Sequence, residues 1–264
     1  MGSFNLHSAI EYATEVHRVE QVPPSNVEDC SGTEVRERTI RAVVYGQDRS
    51  GGPVVSFGQV LQASDGSVLV AIRGTSDAVE WFRDAQFAMT DCPFFPGKVE
   101  QGFLDIYKTL HVGLGAAQVL LSTFLTVWRK NQIVIAGHSL GAALVTLLAA
   151  ELFSKGIEPE VWTFESPRVG NGDFAKAYDG ARASNPAVEN NTHRIANKGD
   201  IVTEVPTISG FHLYHHVGEL YELRDVKDRG LKCKHHITTV LHLLTTEECM
   251  GVVDAAYPLD KDCL

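Results

Sequence analysis

Residues 133–144 read Ile133-Val134-Ile135-Ala136-Gly137-His138-Ser139-Leu140-Gly141-Ala142-Ala143-Leu144. Four apolar residues in a row suit a short strand covered on both faces, as in a parallel sheet. A turn with serine at its tip follows, and then Ala142, Ala143, Leu144, Leu147, Leu148 and Ala149 recur at helical spacing. Gly137 and Gly141 stand two residues either side of Ser139. Side chains there would collide as strand and helix close on each other, so the spacing has a steric reason. Such a turn lifts the serine hydroxyl above the sheet edge. It also points the amide of Leu140, first in the helix, to where negative charge on a carbonyl oxygen would develop.

The rest of the chain supplies the setting. With 264 residues, 44 % of them hydrophobic and 21 % charged, it can bury the core of one α/β domain, and a single domain over 1–264 is predicted. A net charge of −10 argues against nucleic acid and strongly anionic membranes as partners. No run of eighteen apolar residues exists, so no transmembrane segment is expected. Met1–Leu6 lacks the basic and apolar regions of a secretory signal. Five cysteines (Cys30, Cys92, Cys233, Cys249, Cys263) show no metal-ligand spacing, and no metal or cofactor is expected. The compartment stays open: secreted if a leader has been removed, cytoplasmic otherwise.

Along the chain, Leu6, Ala9, Ile10, Ala13 and Val16 predict an amphipathic helix over 4–20, packed on the body of the protein. Strands are expected at 39–45, 54–61 and 68–72, the last two joined by the turn Ser64-Asp65-Gly66-Ser67. Apolar residues from Leu104 to Trp128 predict one long helix over 103–129. Later strands are expected at 161–164, 193–197 and 216–223, and a helix at 237–244. Strands alternating with helices around the serine turn predict the α/β-hydrolase fold: a central, mostly parallel sheet with helices on both faces.

A serine hydroxyl needs a histidine to take its proton, and that histidine needs a carboxylate to fix its tautomer. In α/β-hydrolases both follow the serine in sequence, on loops after later strands. Asp200, in Asn197-Lys198-Gly199-Asp200-Ile201-Val202, lies on a glycine loop just past a predicted strand. Its rivals Asp173, Asp179 and Asp225 do not combine a strand end with a following apolar run, although a turn-stabilising role also fits Asp200. The histidines after it are His212, His215, His216, His235, His236 and His242. The polar loop 232–236 opens onto a helix, and His236, directly before Ile237, is preferred to its neighbour His235.

Around these residues the chain resembles the fungal-type triacylglycerol lipases, lipase class three. Ile72-Arg73-Gly74-Thr75-Ser76 is similar to the family's F-R-G-[ST] segment, Trp81–Asp84 to its W-x-x-D, and residues 99–107 to its V-H-x-G-F-L-x-x-Y. Residues 163–171 resemble T-F-G-x-P-R-V-G-N, and 197–206 resemble N-x-x-D-x-V-x-x-x-P. Tyr214–Glu219 is similar to Y-x-H-x-G-x-E, and His236–Val240 to H-L-x-Y-F. The resemblance covers residues 68–245. It implies Ser139, Asp200 and His236 as catalytic residues, Thr75 with Leu140 as the oxyanion hole, and a structural role for His216. Three positions depart from the family pattern. Glu165 replaces a usual glycine and Glu100 a frequent histidine, while Thr239 replaces a common aromatic, which keeps His235 in contention.

The implied function is carboxylic-ester hydrolysis through an acyl-enzyme, with a triacylglycerol or other lipid ester at an oil–water interface as substrate. Val79, Trp81, Phe82, Phe87, Met89, Phe94 and Phe95 make residues 77–96 a candidate lid, or else part of the core. The alternatives are an esterase of short or aromatic acyl esters, a phospholipase A1 or acyltransferase, and a binding module without chemistry.

Overall fold

The structure, a computed structural model, describes residues 4–21, 34–35, 37–49, 51–75, 79, 82, 87–183, 191–226 and 229–248. Its frame is one mixed sheet. The strands used below are β1 (Arg38–Gln47), β2 (Val54–Ala63), β3 (Val68–Ile72), β4 (Ile133–His138), β5 (Glu160–Phe164), β6 (Thr192–Asn197) and β7 (Glu219–Leu223). They lie in the order β7-β6-β5-β4-β3-β2-β1, followed by the short strands His111–Val112 and Val119–Leu120. Strands β3 to β7 pair in parallel, whereas β1, β2 and β3 form an antiparallel meander. The turn between β2 and β3 closes as its residues predict: Gly66 has φ 87°, and the Ser67 amide donates to Asp65 Oδ1 at 2.9 Å.

Alternation along the strands divides the apolar residues between the two faces. Val68, Val70, Ile72, Ile133 and Ile135 enter one core, and Leu69, Ala71, Val134 and Ala136 enter the other. Helix α2 (Leu140–Ser154) packs into the first core, so apolar that most of its circumference is buried. Helices α1 (Leu6–Glu20) and α3 (Ile237–Glu248) cover the second. Asn5 caps α1 by accepting a hydrogen bond from the Ser8 amide at 3.2 Å, and Ala9, Ala13 and Val16 form its buried stripe. Helices therefore lie on both faces, as the strand–helix alternation predicts.

Two elements differ from expectation. Residues 103–129 do not form one helix. A short helix over Gln101–Tyr107, capped by the Glu100 carboxylate on the Phe103 amide (2.6 Å), gives way to the strand His111–Val112 and a second short helix at Leu121–Leu125. Gly113 and Gly115 have φ of 77° and 59°, a left-handed backbone incompatible with helix continuation, and Leu114 and Leu120 are exposed. The strand expected over 216–223 begins three residues later, at Glu219, and a separate strand precedes it. His212–His215 joins a second, antiparallel sheet with Ile208–Ser209, Gly170–Asn171, Lys98–Glu100 and Met89–Asp91, while Glu219–Leu223 joins the main sheet. Gly218, with φ 76°, makes the turn between them.

Within the segment expected as a lid, Val79 and Phe82 are buried, and Phe82 lies edge-on to Phe103 with ring centres 6.0 Å apart. Phe87, Phe94 and Phe95 pack against the same core. Residues 89–91 are a strand, so the segment is anchored at that end. Trp81 and Asp84 lie outside the described residues.

Candidate active site

Strand β4 ends at His138, and α2 begins at Leu140. Ser139 between them has φ 57° and ψ −124°, a conformation strained for any residue with a Cβ. The reason for the flanking glycines is steric. A Cβ on Gly137 would meet the Gly141 carbonyl at 2.4 Å, and one on Gly141 would meet the Ile72 and Arg73 carbonyls at 2.4 and 2.6 Å. The Ser139 amide donates to the Phe164 carbonyl at 2.9 Å, which ties the turn to the end of β5.

Ser139 Oγ lies 2.7 Å from Nε2 of His235, and Nδ1 of the same ring lies 2.6 Å from Asp200 Oδ2. An ionised Asp200 only accepts, so Nδ1 carries the ring proton and Nε2 presents its lone pair to the serine hydroxyl. Asp200 sits on the loop after β6. Its Oδ1 accepts the Val202 amide at 3.0 Å, and its carbonyl accepts the Thr203 hydroxyl at 2.8 Å. All three residues are almost fully buried, with no exposed surface on Ser139.

The histidine in this arrangement is His235, not His236. His235 closes the helical turn Leu231–His235, and its ring faces the serine. His236 is the hinge between that turn and α3. Its backbone is extended (φ −70°, ψ 138°), and its carbonyl accepts the amides of Thr239 and Val240 at the start of α3. Consecutive side chains across such a hinge point in different directions, so one residue of register decides which ring reaches Ser139. Thr239, buried where an aromatic is common, donates its hydroxyl to the Cys233 carbonyl at 2.7 Å and braces the turn. Cys233 itself is disulfide-bonded, to a partner outside the described residues.

Burial pushes the His235 ring below the usual histidine range, even though the Asp200 carboxylate pulls the other way. Burial would raise Asp200, but the His235 ring and the hydrogen bonds it receives outweigh this and leave it below the usual carboxylate range. Both directions favour a neutral imidazole beside an ionised carboxylate, the state in which a histidine can accept a proton.

Two further residues join the site, and sequence analysis gives neither a role. Glu20, the last residue of α1, places Oε1 2.7 Å from Nδ1 of His138 and accepts the Gly74 amide at 3.2 Å. Nε2 of His138 meets the His235 carbonyl at 2.7 Å. A carbonyl and a carboxylate both accept, so both ring nitrogens of His138 carry protons and the ring is a cation. Burial opposes that charge, but Glu20 more than offsets it: His138 is raised and Glu20 lowered. One carboxylate thus ties α1 to the serine turn, to the histidine turn and to the loop bearing Thr75. The signal was present in sequence, since 9, 13, 16 and 20 continue one helical stripe and end it on a glutamate.

Glu165, just after β5, is fully buried with φ 51° and accepts the Asn197 amide at 2.9 and 3.1 Å. Its carboxyl is hydrogen-bonded to Asp200, and burial followed by the charge of Asp200 raises it well above the usual carboxylate range. On the other side of the serine, Arg73 donates to the Ser56 and Gly74 carbonyls at 2.7 and 2.8 Å and holds the chain leading to Thr75. Thr75 Oγ1 is buried with no hydrogen-bond partner among the described residues. His216, given a structural role by its strand motif, bonds the Thr203 carbonyl at 2.8 Å through Nε2, and burial helps hold it down to about 3.

The family model for Lipase (class 3) matches residues 69–210, more than half of the chain. The chain belongs to the class 3 lipase family. Within and around this lipase family, the chain is similar to the chloroplastic phospholipase A1-Ialpha2 of Arabidopsis thaliana, 30 % identical over 236 residues, which are 71 % of this chain and 47 % of that protein. It is also similar to the secreted mono- and diacylglycerol lipase 1 of Fusarium solani, 33 % identical over 109 residues, 41 % of this chain and 32 % of that one. The chain therefore spans less than half the length of these curated relatives. The crystal structure of a mono- and diacylglycerol lipase from Aspergillus oryzae superposes with a TM-score of 0.64 at 21 % identity, covering 84 % of this chain and 80 % of that one. That likeness bears on the fold, which is the α/β-hydrolase fold expected from sequence. No helix among the described residues is long and apolar enough to cross a membrane.

Proposed function

We propose that the protein is a serine carboxylic-ester hydrolase acting on acylglycerols through an acyl-enzyme. The observation that carries this reading is the continuous hydrogen-bonded series Ser139–His235–Asp200, at 2.7 and 2.6 Å with the imidazole in the productive tautomer. His235 takes the hydroxyl proton as Ser139 Oγ attacks the ester carbonyl carbon, then passes it to the leaving alcohol. Water repeats the sequence on the acyl-serine, and His235 returns the proton to Ser139. Asp200 keeps the ring oriented and stabilises the imidazolium.

The oxyanion falls to the Leu140 amide and to Thr75. The leading amides of a helix have no acceptor within it, and Leu140 is the first residue of α2. The unbonded Thr75 hydroxyl is a donor awaiting a partner, which supports the same reading. Thr75→Val keeps shape and removes that donor. It should lower kcat on p-nitrophenyl butyrate by about 10²–10³-fold. Because the hydroxyl has no partner among the described residues, its loss should leave the melting temperature equal or higher, as differential scanning fluorimetry would show.

Ser139 has no exposed surface, so substrate reaches it only when overlying residues move. A moving element is what a lid at residues 77–96 would supply. Ile208, Phe211 and Leu213 leave apolar side chains in solvent on and beside the hairpin of the second sheet, and net charge is −10. Both suit a neutral lipid surface better than an anionic one. The disulfide at Cys233 suits an oxidising compartment.

The phospholipase A1 relative gives a second reading with the same catalytic residues. Hydrolysis of p-nitrophenyl butyrate, emulsified trioctanoin and dilauroylphosphatidylcholine by the purified chain, with and without a p-nitrophenyl phosphonate ester, decides between them. Trioctanoin turnover that rises above the solubility limit supports the lidded lipase. Preference for the phospholipid moves the substrate to phospholipase A1. No labelling of Ser139 and no turnover would sink the hydrolase reading.

A further inference from the structure

A glutamate at φ 51° needs an explanation. Glycine occupies that conformation without cost and is usual at this place in the family pattern, yet Glu165 stands there with no exposed surface. Its carboxyl faces Asp200 in a hydrogen bond. Two carboxyl groups in hydrogen-bonding contact cannot both be ionised, because one of them must supply the proton between them. Asp200 already accepts His235 Nδ1–H and the Val202 amide, two donors that favour its ionised form. The proton therefore resides on Glu165. The Asn197 amide, donating to the Glu165 carboxyl, fixes that carboxyl in place, and Asn197 Nδ2 also donates to the Lys234 carbonyl at 2.9 Å, next to His235.

We propose that Glu165 is a positioning residue, a neutral carboxylic acid that donates a hydrogen bond to Asp200 and so holds the carboxylate that orients His235. The proposal rests on the Ser139–His235–Asp200 reading and extends it by one member, at a position where a glycine would leave Asp200 one donor short. The charged and titratable groups around the pair are His235, with His138 and Glu20 beyond it, and Arg194, whose cation acts on Glu165 from β6. Arg194 opposes the protonation of Glu165, whereas burial and Asp200 favour it, and the latter two dominate.

The test compares wild type, Glu165→Gly, Glu165→Gln and Ser139→Ala in full pH profiles of kcat and KM on p-nitrophenyl butyrate, with melting temperatures across the same range. Glu165→Gly removes the donor and relieves the backbone. It is expected to lower kcat about tenfold, the effect of one hydrogen bond to a charged group, with KM little moved. The less stabilised Asp200 should also raise the pH at which His235 protonates, so the acid limb moves upward. Glu165→Gln retains an N–H donor and cannot ionise. It should recover most of the glycine variant's loss and lack the alkaline limb that appears in wild type as Glu165 ionises beside Asp200.

Stability gives an independent reading of the same proton. A carboxyl raised in the folded state above its ordinary 4.5 makes wild type lose stability as pH rises above that value. The melting-temperature advantage of Glu165→Gln should therefore grow with pH. Profiles of both variants parallel to wild type, with a pH-independent stability difference, would overturn the proposal. So would an ionised Glu165 in carboxyl-region infrared difference spectra at neutral pH. If Glu165→Gly does not fold, Glu165→Gln decides alone through its alkaline limb. Failure of the underlying reading is separate: in that case Ser139→Ala retains turnover, whatever Glu165 does.

Discussion

Ser139→Ala and His235→Ala should each lower kcat on p-nitrophenyl butyrate by about 10⁶-fold, whereas His236→Ala should stay within a few-fold of wild type. The double variant Ser139→Ala/His235→Ala should be no slower than either single one, because nucleophile and base act as a unit. The asymmetry between adjacent histidines follows from the chain path: the His235 ring lies 2.7 Å from Ser139 Oγ, while His236 occupies the extended hinge before α3. Single-turnover kinetics and phosphonate labelling read the outcome. If His236→Ala were the dead variant and His235→Ala the active one, the assignment of the base would be wrong even though the serine stood.

Asp200→Asn should cost about 10⁴-fold in kcat, mainly because an amide facing Nδ1 can donate as well as accept and stabilises the wrong tautomer. Ring orientation in the variant should remain near native, since the His235 carbonyl is still held by His138 Nε2 at 2.7 Å. The pH dependence has a definite sign. His235 must be neutral to act as base, and burial depresses its pKa below 6.5, so the acid limb of wild-type kcat/KM should lie below pH 6.5. Removing the Asp200 charge takes away a contribution that raises the ring, so the residual acid limb of Asp200→Asn should lie lower still. A wild-type acid limb above 6.5 would contradict the burial-dominated site.

The contrast between what was legible in the chain and what was not has a physical basis. Ser139 stands out because the turn that exposes it forces glycine at two fixed positions, and Asp200 because a strand end and a glycine loop bracket it. Both constraints are local. The base is decided by rotation about one hinge, and two neighbouring histidines with a threonine in place of an aromatic give the chain no local means of marking that rotation. The helix expected over 103–129 failed for a related reason: apolar spacing counts side chains, whereas Gly113 and Gly115 act through backbone torsion. Glu20 is 118 residues from its partner His138, so its role arises only when α1 docks on the sheet. Glu165 was visible as a departure from the family pattern, but its positive φ and its contact with Asp200 are properties of three dimensions.

The docking of α1 has a consequence for where a working unit begins and ends. The segment by which the family is recognised runs from residue 69 to 210, and it holds Ser139, Asp200 and Thr75. It omits Glu20, which neutralises the buried His138 cation, and it stops before His235. Expressed alone, residues 69–210 would lack the base, the counter-ion of a buried charge and the helices that cover one face of the sheet. Such a fragment should be insoluble or unfolded by circular dichroism, while the whole chain should fold. Recognition and autonomy thus follow different boundaries in this protein, and a search tuned to the first would clip both ends of the second.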